Sequence, residues 1–301
     1  MNGNKRINRR GAFAAGGSVF AALALIGCTP AGLLNTVSRI SGDGGTRLAA
    51  GGAAYGSLPR HKLDVWVPAR RADAGPLPVV VFFYGGGWVS GARGEYGFAG
   101  RAFAAAGFVA IVADYRLVPQ VRFPAFVEDN ALAVKWARDN VARFGGDPRR
   151  ITLAGHSAGA YAAAMLALDR HYLADIGVDP GIVRAAALLS GPYDFYPFTE
   201  MRGRDALGAW PRPLETQPIT FARADAPPLL LIHGTDDTVV RPRNAEALAA
   251  RLRQLGSPVE LRLYPGKNHV DTIKSLSPTF RTATPALADS VAFLKANSTP
   301  R

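Results

Sequence analysis

The chain has 301 residues, of which 48% are hydrophobic, and its formal net charge is +12. This length and apolar content allow one large core, and short β-like runs that alternate with helical runs indicate a single α/β domain. The charge comes mainly from scattered arginines without a dense basic stripe, which argues against nucleic-acid binding. One cysteine excludes a disulfide within one chain.

The first 28 residues have the pattern of an export signal. A basic start precedes an apolar stretch over residues 12–26, which is too short for a comfortable membrane span. The stretch ends in Leu25-Ile26-Gly27-Cys28, which resembles the bacterial lipobox, in which the cysteine is lipidated and becomes the mature N-terminus. We therefore expect an exported protein, anchored to a membrane of the cell envelope through Cys28, on the outer membrane or facing the periplasm. A structural cysteine in a signal peptide that is cut elsewhere is the alternative.

The next segments mark the start of the domain. Residues 29–58 are rich in Gly, Ala, Ser and Thr and are predicted to form a flexible tether, so that the folded domain would span residues 59–301. Residues 63–67 alternate like a half-buried antiparallel edge strand, which Pro68 ends. Residues 79–83 are continuously apolar, which is typical of a central strand covered on both faces.

Three consecutive glycines follow that apolar run directly. Each costs conformational entropy that a side chain would reduce, so such a run is expected where the backbone itself is needed. The N–H groups of Gly86 and Gly87, with that of Ala158, can converge on the oxygen of a tetrahedral intermediate, where each donor contributes about 10²–10³ in rate. A plain glycine-rich turn is the alternative.

A second motif, Gly155-His156-Ser157-Ala158-Gly159, lies between an apolar strand and an Ala-rich helix. A nucleophile that must stand clear of a sheet sits on a tight strand-to-helix turn, and the flanking glycines let strand and helix pass closely. The N–H groups at the start of the helix favour negative charge at the same place. The five-residue pattern is too short to be specific by itself. The strand before it and the helix after it make Ser157 the candidate nucleophile.

Later segments supply further candidates. Residues 195–224 carry Pro, Arg and aromatic residues without clear periodicity, and we expect a short insertion that caps the site. Two adjacent carboxylates, Asp236 and Asp237, follow an apolar strand, and either can be a mere turn residue. His269 lies on the loop after the last alternating strand, and a helix over residues 284–296 closes the fold.

The glycine loop and the serine motif, about seventy residues apart, together resemble the α/β-hydrolase superfamily. The resemblance is to its esterase branch with a His-Gly-Gly-Gly-Trp loop, which includes hormone-sensitive-lipase-like carboxylesterases and small bacterial feruloyl-esterase-like proteins. It covers residues 60–297 and implies an α/β fold with a central, mostly parallel sheet flanked by helices and a short cap. Tyr84 stands where the branch usually has His, but its hydroxyl can still hold the loop.

The resemblance also orders the catalytic residues. The branch spaces its acid as His-Gly-x-x-Asp-x-x-Val, which favours Asp237 over Asp236. Among the five histidines, His269 alone follows the acid on a late loop, so Ser157, Asp237 and His269 occur in the α/β-hydrolase order. The acid then fixes the tautomer of the histidine, which is the general base.

These residues predict a serine carboxylesterase that hydrolyses small-molecule esters through an acyl-enzyme intermediate. The sequence contains no metal-ligand spacing and no nucleotide-binding fingerprint, so we expect no metal and no other cofactor. A short cap favours short-acyl or aryl esters, and the sequence does not indicate an oligomeric state. The aromatic residues that can line the substrate pocket, or equally belong to the core, are Trp88, Tyr161, Tyr193 and Phe195.

Two other functions remain open at this point. The same three residues serve a formamidase, an amidase or a peptidase, because the chemistry of acyl transfer is shared. An inactive hydrolase fold can also act as a binding module at the envelope, although such a module has no need of all three residues.

Overall fold

The computed structural model describes residues 29–40, 45–70 and 75–299. The predicted export signal and Cys28 lie outside these residues. The strands are β1 (Thr46–Ala54), β2 (Lys62–Pro68), β3 (Leu77–Phe83), β4 (Val109–Ala113), β5 (Gly146–His156), β6 (Val183–Leu189), β7 (Leu229–Gly234) and β8 (Val259–Tyr264). They form one sheet in the order β1-β2-β4-β3-β5-β6-β7-β8.

Helices flank this sheet, and the helix predicted over residues 284–296 is found at Ala286–Asn297. None of those in the described part of the chain is both long and apolar enough to cross a membrane. The helices are α1 (Pro30–Ile40), α2 (Gly97–Ala105), α3 (Ala125–Asn140), α4 (Ala158–Leu168), α5 (His171–Ala174), α6 (Met201–Leu207), α7 (Arg243–Gln254), α8 (Asp271–Lys274) and α9 (Ala286–Asn297).

The sheet is parallel from β3 to β8, and β1 and β2 extend it antiparallel at one side. β3 lies between β4 and β5, and its residues 79–83 have no exposed surface, as their continuous apolar run predicted. The predicted α/β-hydrolase architecture is therefore confirmed. In such a sheet the carboxyl ends of the parallel strands share one edge, which is where ligands bind. The glycine loop, the serine motif, the acid loop and the base loop follow β3, β5, β7 and β8 at that edge.

The segment predicted as a tether is part of the fold where the structure describes it. α1 docks beside α2: the Asn35 side-chain amide donates to the Gly94 carbonyl at 2.7 Å, and the Arg101 guanidinium donates to Asn35 Oδ1 and Ser38 Oγ, each at 2.9 Å. β1 pairs along β2, so β2 is the second strand and not the predicted edge strand. The tether prediction was wrong because small residues give no apolar pattern, whereas a strand pairs through backbone groups that every residue carries.

The predicted cap, residues 195–224, carries α6 and two short 3₁₀ turns, at 213–216 and 218–221. Its start is held by Gln217, whose Oε1 accepts from the N–H groups of Phe195 and Tyr196 at 2.7 and 3.1 Å. The end of α6 is held by the Phe123 N–H, which donates to the Ala206 carbonyl at 2.9 Å. The insertion is thus short and tied to the body of the domain.

Candidate active site

Ser157 occupies a strained turn between β5 and α4. Its φ is 55° and its ψ is −122°, a conformation that L residues rarely adopt outside functional sites. A Cβ at Gly155 would lie 2.4 Å from the Gly159 carbonyl oxygen, and one at Gly159 would lie 2.0 Å from that of Phe83. Neither glycine can carry a side chain, because strand and helix pass too closely. The Ser157 N–H is fixed by the Leu189 carbonyl at 2.9 Å.

Asp237 and His269 lie within hydrogen-bond distance at the ends of β7 and β8. The Nδ1 atom of His269 is 2.8 Å from Oδ2 of Asp237. The side chain of Asp237 is fully buried, whereas that of His269 is 12% exposed, so the base remains accessible. Asp236, the alternative acid, is exposed, and among the described residues its carboxylate accepts from the neighbouring Thr235 hydroxyl alone. The geometry therefore pairs His269 with Asp237.

The Asp237 carboxylate receives donors on both oxygens. Its Oδ1 accepts from the N–H groups of Val239 and Val240 at 2.9 and 2.8 Å, and its Oδ2 also lies 3.1 Å from Nε2 of His233. Burial alone would raise the pKa of Asp237. The hydrogen bonds from His233 and His269 outweigh this effect and hold the pKa well below its ordinary range. An ionised carboxylate only accepts, so Nδ1 of His269 carries the proton and Nε2 is left unprotonated, as the candidate base requires.

His233 is a positioning residue that the sequence reasoning passed over. It is completely buried on β7, and its Nε2 is 2.8 Å from the Val240 carbonyl, which can only accept, so Nε2 carries a proton. The same N–H faces Oδ2 of Asp237, so a buried donor supports this carboxylate. The His-Gly-x-x-Asp spacing was the available signal, since it places His233 four residues before the acid.

His156 joins the serine turn to the base loop. It is buried next to Ser157, and its Nε2–H donates to the backbone carbonyl of His269 at 3.0 Å. Burial, and then the His269 ring whose centroid lies 4.8 Å away, lower the pKa of His156 to about 3. A neutral imidazole therefore holds the base loop against the turn that carries the candidate nucleophile. In the sequence this histidine is visible only as part of the Gly-x-Ser-x-Gly motif.

The glycine loop lies against the same turn. Gly86 has φ +130° and Gly87 has φ +60°, which only glycine adopts without strain, and a Cβ at Gly86 would lie 2.1 Å from the Ser90 carbonyl oxygen. A Cβ at Gly85 would lie 3.1 Å from Cβ of Ser157, so loop and serine are in contact range. The structure thus brings Gly86 and Gly87 beside the turn that contains Ala158, and their joint role as an oxyanion hole remains a prediction.

Tyr84 replaces the histidine of the related loops and is fully bonded. Its hydroxyl accepts from the Arg60 guanidinium at 2.9 Å and donates to Oδ1 of Asp114 at 3.0 Å. The Tyr115 hydroxyl donates to the Tyr84 carbonyl at 2.7 Å, and the two rings stack at 4.6 Å. Burial, and then the charge of Asp114, raise the pKa of Tyr84 well above its usual value, so the hydroxyl stays a donor. The substitution therefore keeps the loop anchored.

The four aromatic residues proposed for the pocket do not all reach it. Tyr161 and Tyr193 have no exposed surface, and the Tyr161 hydroxyl donates to the Thr216 carbonyl at 2.8 Å. Trp88 is 5% exposed, lies edge-on to Tyr161 and stacks on Phe195, which is partly buried. For Tyr161 and Tyr193 the structure favours the alternative that both rings belong to the core.

A surface cavity of about 620 Å³ lies outside this group of residues. It is lined by residues 281–285 and by Tyr264, Pro265 and Lys267, and it contains none of the candidate catalytic residues. Within the described ranges, no three His, Cys, Asp or Glu side chains are grouped as a metal site requires. The candidate site is therefore defined by the four loops at the carboxyl edge of the sheet.

The BD-FAE family model matches residues 63–252, which is more than half of the chain. The chain belongs to the BD-FAE family. The matched range includes Ser157 and Asp237 but ends before His269, whose assignment in this BD-FAE chain rests on its hydrogen bond to the acid.

Two of the most similar relatives are named esterases. Esterase LipC of Mycobacterium tuberculosis is 36% identical over 237 residues, which are 71% of this chain and 58% of LipC. Isoprenylcysteine α-carbonyl methylesterase ICME of Arabidopsis thaliana is 29% identical over 238 residues, covering 72% of this chain and 55% of ICME. The BD-FAE chain thus spans little more than half the length of these relatives.

Among solved structures, the apo form of Thermogutta terrifontis esterase 2 superposes with a TM-score of 0.69 at 26% identity. The superposition covers 86% of this chain and 98% of that one. Together with the family match, it confirms the predicted resemblance of this BD-FAE chain to the esterases of the α/β-hydrolase superfamily.

Proposed function

We propose that the protein is a serine carboxylesterase with Ser157 as nucleophile, His269 as general base and Asp237 as the acid that orients it. The observation that carries this proposal is the 2.8 Å hydrogen bond between His269 and Asp237, in a loop that His156 holds against the strained turn of Ser157. The esterase names of LipC and of Thermogutta esterase 2 support the reaction class.

In the acylation step, Nε2 of His269 takes the hydroxyl proton of Ser157 as Oγ attacks the ester carbonyl carbon. The N–H groups of Gly86, Gly87 and Ala158 stabilise the oxyanion, and Asp237 stabilises the imidazolium. The intermediate collapses when His269 returns the proton to the leaving alkoxide, which departs as the alcohol. Water then attacks the acyl-enzyme with His269 again as base, which releases the carboxylic acid and restores Ser157.

Substrates with short acyl or aryl groups suit this site best. In support of this preference, the cap is short, with one two-turn helix, and its ring Phe195 stacks against Trp88 beside the glycine loop. ICME is by name a methylesterase, and a small alcohol group is compatible with the same preference.

The function is tested with p-nitrophenyl esters from acetate to dodecanoate and the full chain in detergent. We expect kcat/KM to peak at short acyl chains and to fall by at least about 10³-fold in Ser157→Ala. The control is Ser57→Ala, because Ser57 lies exposed on a loop outside the site. Labelling by a fluorophosphonate, in which Oγ displaces fluoride from phosphorus, gives a second readout. Equal labelling of wild type and Ser157→Ala, or a rate that survives the substitution, would refute the proposal.

We also propose that the enzyme is exported and held at a membrane by acylated Cys28, as the lipobox-like ending of the first segment indicates. The test is fractionation of cells that express the wild type or Cys28→Ser, with metabolic labelling by a fatty acid. Label and membrane association are expected only in the wild type. Membrane association that persists without label would count against lipidation.

A further inference from the structure

The guanidinium of Arg202, on α6 of the cap, lies directly over the glycine loop. A Cβ placed on Gly87 would lie 2.8 Å from Cδ of Arg202, 3.3 Å from its Nη1 and 3.7 Å from its Nε. An amide nitrogen is about 2.5 Å from the Cβ of its own residue, so Nη1 lies within about 6 Å of the Gly87 N–H. A cation therefore stands next to one of the donors that the proposed mechanism directs at the ester.

The charge of Arg202 has no acidic partner in the described part of the chain. Its side chain is exposed, and it makes neither a hydrogen bond nor an ion pair there. Two other arginines of the cap region are paired: Arg212 binds Glu215, and Arg223 binds Asp225. Arg204 of α6 is exposed and, within the described residues, has no side-chain partner either. Of the two uncompensated arginines of α6, Arg202 is the one whose guanidinium lies beside the glycine loop.

The helix that carries Arg202 is fixed in place. A Cβ at Gly203 would lie 3.6 Å from the ring of Phe198 and 3.9 Å from that of Phe195, so α6 rests on these two rings. Phe195 in turn stacks on Trp88 with a centroid distance of 6.2 Å. The backbone of Arg202 is therefore anchored over the loop, and its exposed guanidinium can adjust to a ligand.

We propose that Arg202 binds a carboxylate carried by the ester substrate, so that the site prefers esters with a negative charge a few bonds from the scissile carbonyl. This inference rests on the proposed function, since it concerns the same site. The planar guanidinium offers paired N–H donors that match a carboxylate, and such charge-assisted pairs are stronger than neutral hydrogen bonds. The carboxylate of the substrate would then form the ion pair with Arg202 that no acidic side chain of the described residues forms.

The carboxylate can belong to the acyl part or to the alcohol part, and two matched pairs of substrates separate these cases. For the acyl side, 4-nitrophenyl hemiglutarate is compared with its neutral methyl ester. For the alcohol side, 4-carboxyphenyl butyrate is compared with 4-(methoxycarbonyl)phenyl butyrate. In each pair the scissile ester is kept and a distant carboxylate is replaced by its methyl ester, with initial rates of phenol release corrected for spontaneous hydrolysis. Because esterification also makes the leaving phenol of the second pair more acidic, each variant is compared with the wild type on the same substrate.

The variants are Arg202→Gln and, as a matched control, Arg204→Gln, which removes another exposed arginine of the same helix. We expect Arg202→Gln to lower kcat/KM about tenfold for the charged member of at least one pair, and to change the neutral member by less than about twofold. Arg204→Gln should change neither member. Raising the salt concentration should reduce the preference of the wild type and leave Arg202→Gln unaffected.

Equal losses on charged and neutral members, or a wild type without preference in both pairs, would overturn the inference while leaving the esterase proposal intact. A binding measurement tests the Arg202 inference separately from the esterase proposal, because it does not require turnover. Calorimetric titration of Ser157→Ala with each charged substrate should give, for at least one of them, a dissociation constant about tenfold lower than that of the Ser157→Ala, Arg202→Gln double variant. Equal affinities for both charged substrates would also overturn the inference, whereas Ser157-independent ester hydrolysis would instead refute the proposed function.

Discussion

At the scale of single residues, two adjacent carboxylates have different surroundings. Asp237 is buried and accepts from two backbone N–H groups and two imidazoles, whereas Asp236 is exposed and accepts from one hydroxyl. The spacing of the family motif favoured Asp237, and the same motif contains His233, but the contact between the two side chains is visible only in the structure. The donors keep Asp237 ionised, and an ionised acid fixes the proton on Nδ1 of His269.

Exchanging each carboxylate in turn separates them experimentally. Asp237→Asn should lower kcat for p-nitrophenyl butyrate by about 10³–10⁴-fold, because an amide can favour the wrong tautomer of His269. Asp236→Asn, its matched neighbour, should remain within about twofold of the wild type. Similar effects of the two substitutions would contradict the assignment of the acid.

His156 predicts a pH dependence of stability. Its pKa is lowered to about 3 in the folded protein, whereas an unfolded histidine takes up a proton below about pH 6.5. The unfolded state then binds more protons, so the free energy of unfolding falls as the pH drops from about 6.5, on the order of 1 kcal/mol per pH unit. Urea unfolding at pH 7.5, 6 and 5 should therefore show a steeper loss for the wild type than for His156→Gln. Identical slopes would exclude this source of acid sensitivity.

At the scale of elements, the glycine loop after β3 and the serine turn after β5 depend on each other's shape. Gly159 of the serine turn passes the Phe83 carbonyl at the end of β3 with no room for a side chain. Within the glycine loop, Gly86 passes the Ser90 carbonyl equally closely. These close approaches explain why the sequence motif consists of glycines. The donors of the proposed oxyanion hole are thus backbone groups whose direction is set by φ values that other residues adopt only with strain.

Gly86→Ala tests this dependence. The methyl group would lie 2.1 Å from the Ser90 carbonyl oxygen at a φ of +130°, so the loop must move and its N–H groups must turn away. We expect kcat to fall by about 10²–10³-fold, as for loss of an oxyanion donor. Gly94→Ala is the control, because a Cβ at Gly94 meets nothing within 4 Å and its φ is ordinary. Circular dichroism checks that both variants are folded, and an unchanged kcat in Gly86→Ala would argue against the oxyanion role.

At the scale of the whole molecule, the sheet begins earlier than its apolar pattern suggests. Strands β3 to β7 carry apolar runs that predict them, but β1 is built mainly from Ala and Gly, which carry almost no periodic signal. The motifs likewise predicted the serine turn and the acid loop. They did not predict the position of Arg202, because it approaches Gly87 only through the tertiary packing of α6. They also did not predict the burial of Tyr161 and Tyr193, because burial depends on tertiary packing.

Truncation measures how much the first elements contribute. A chain that starts at residue 59 lacks α1 and β1, which leaves β2 as an unprotected edge and Arg101 without Asn35 and Ser38. Its melting temperature should be lower than that of a chain starting at residue 29 by about 5–10 °C, equivalent to a few kcal/mol. Coincident thermal transitions would mean that these elements are dispensable.

The early start of the fold also changes what an anchor at Cys28 would permit. A flexible tether of thirty residues has a root-mean-square span of about 30 Å, which would let the active site sample a broad shell above a membrane. Because α1 begins at Pro30, only a residue or two would separate the anchor from the first helix, and the distance that the active site could sample would be much smaller. The enzyme would then work in one fixed pose at the surface, and it would hydrolyse the esters that diffuse past that pose.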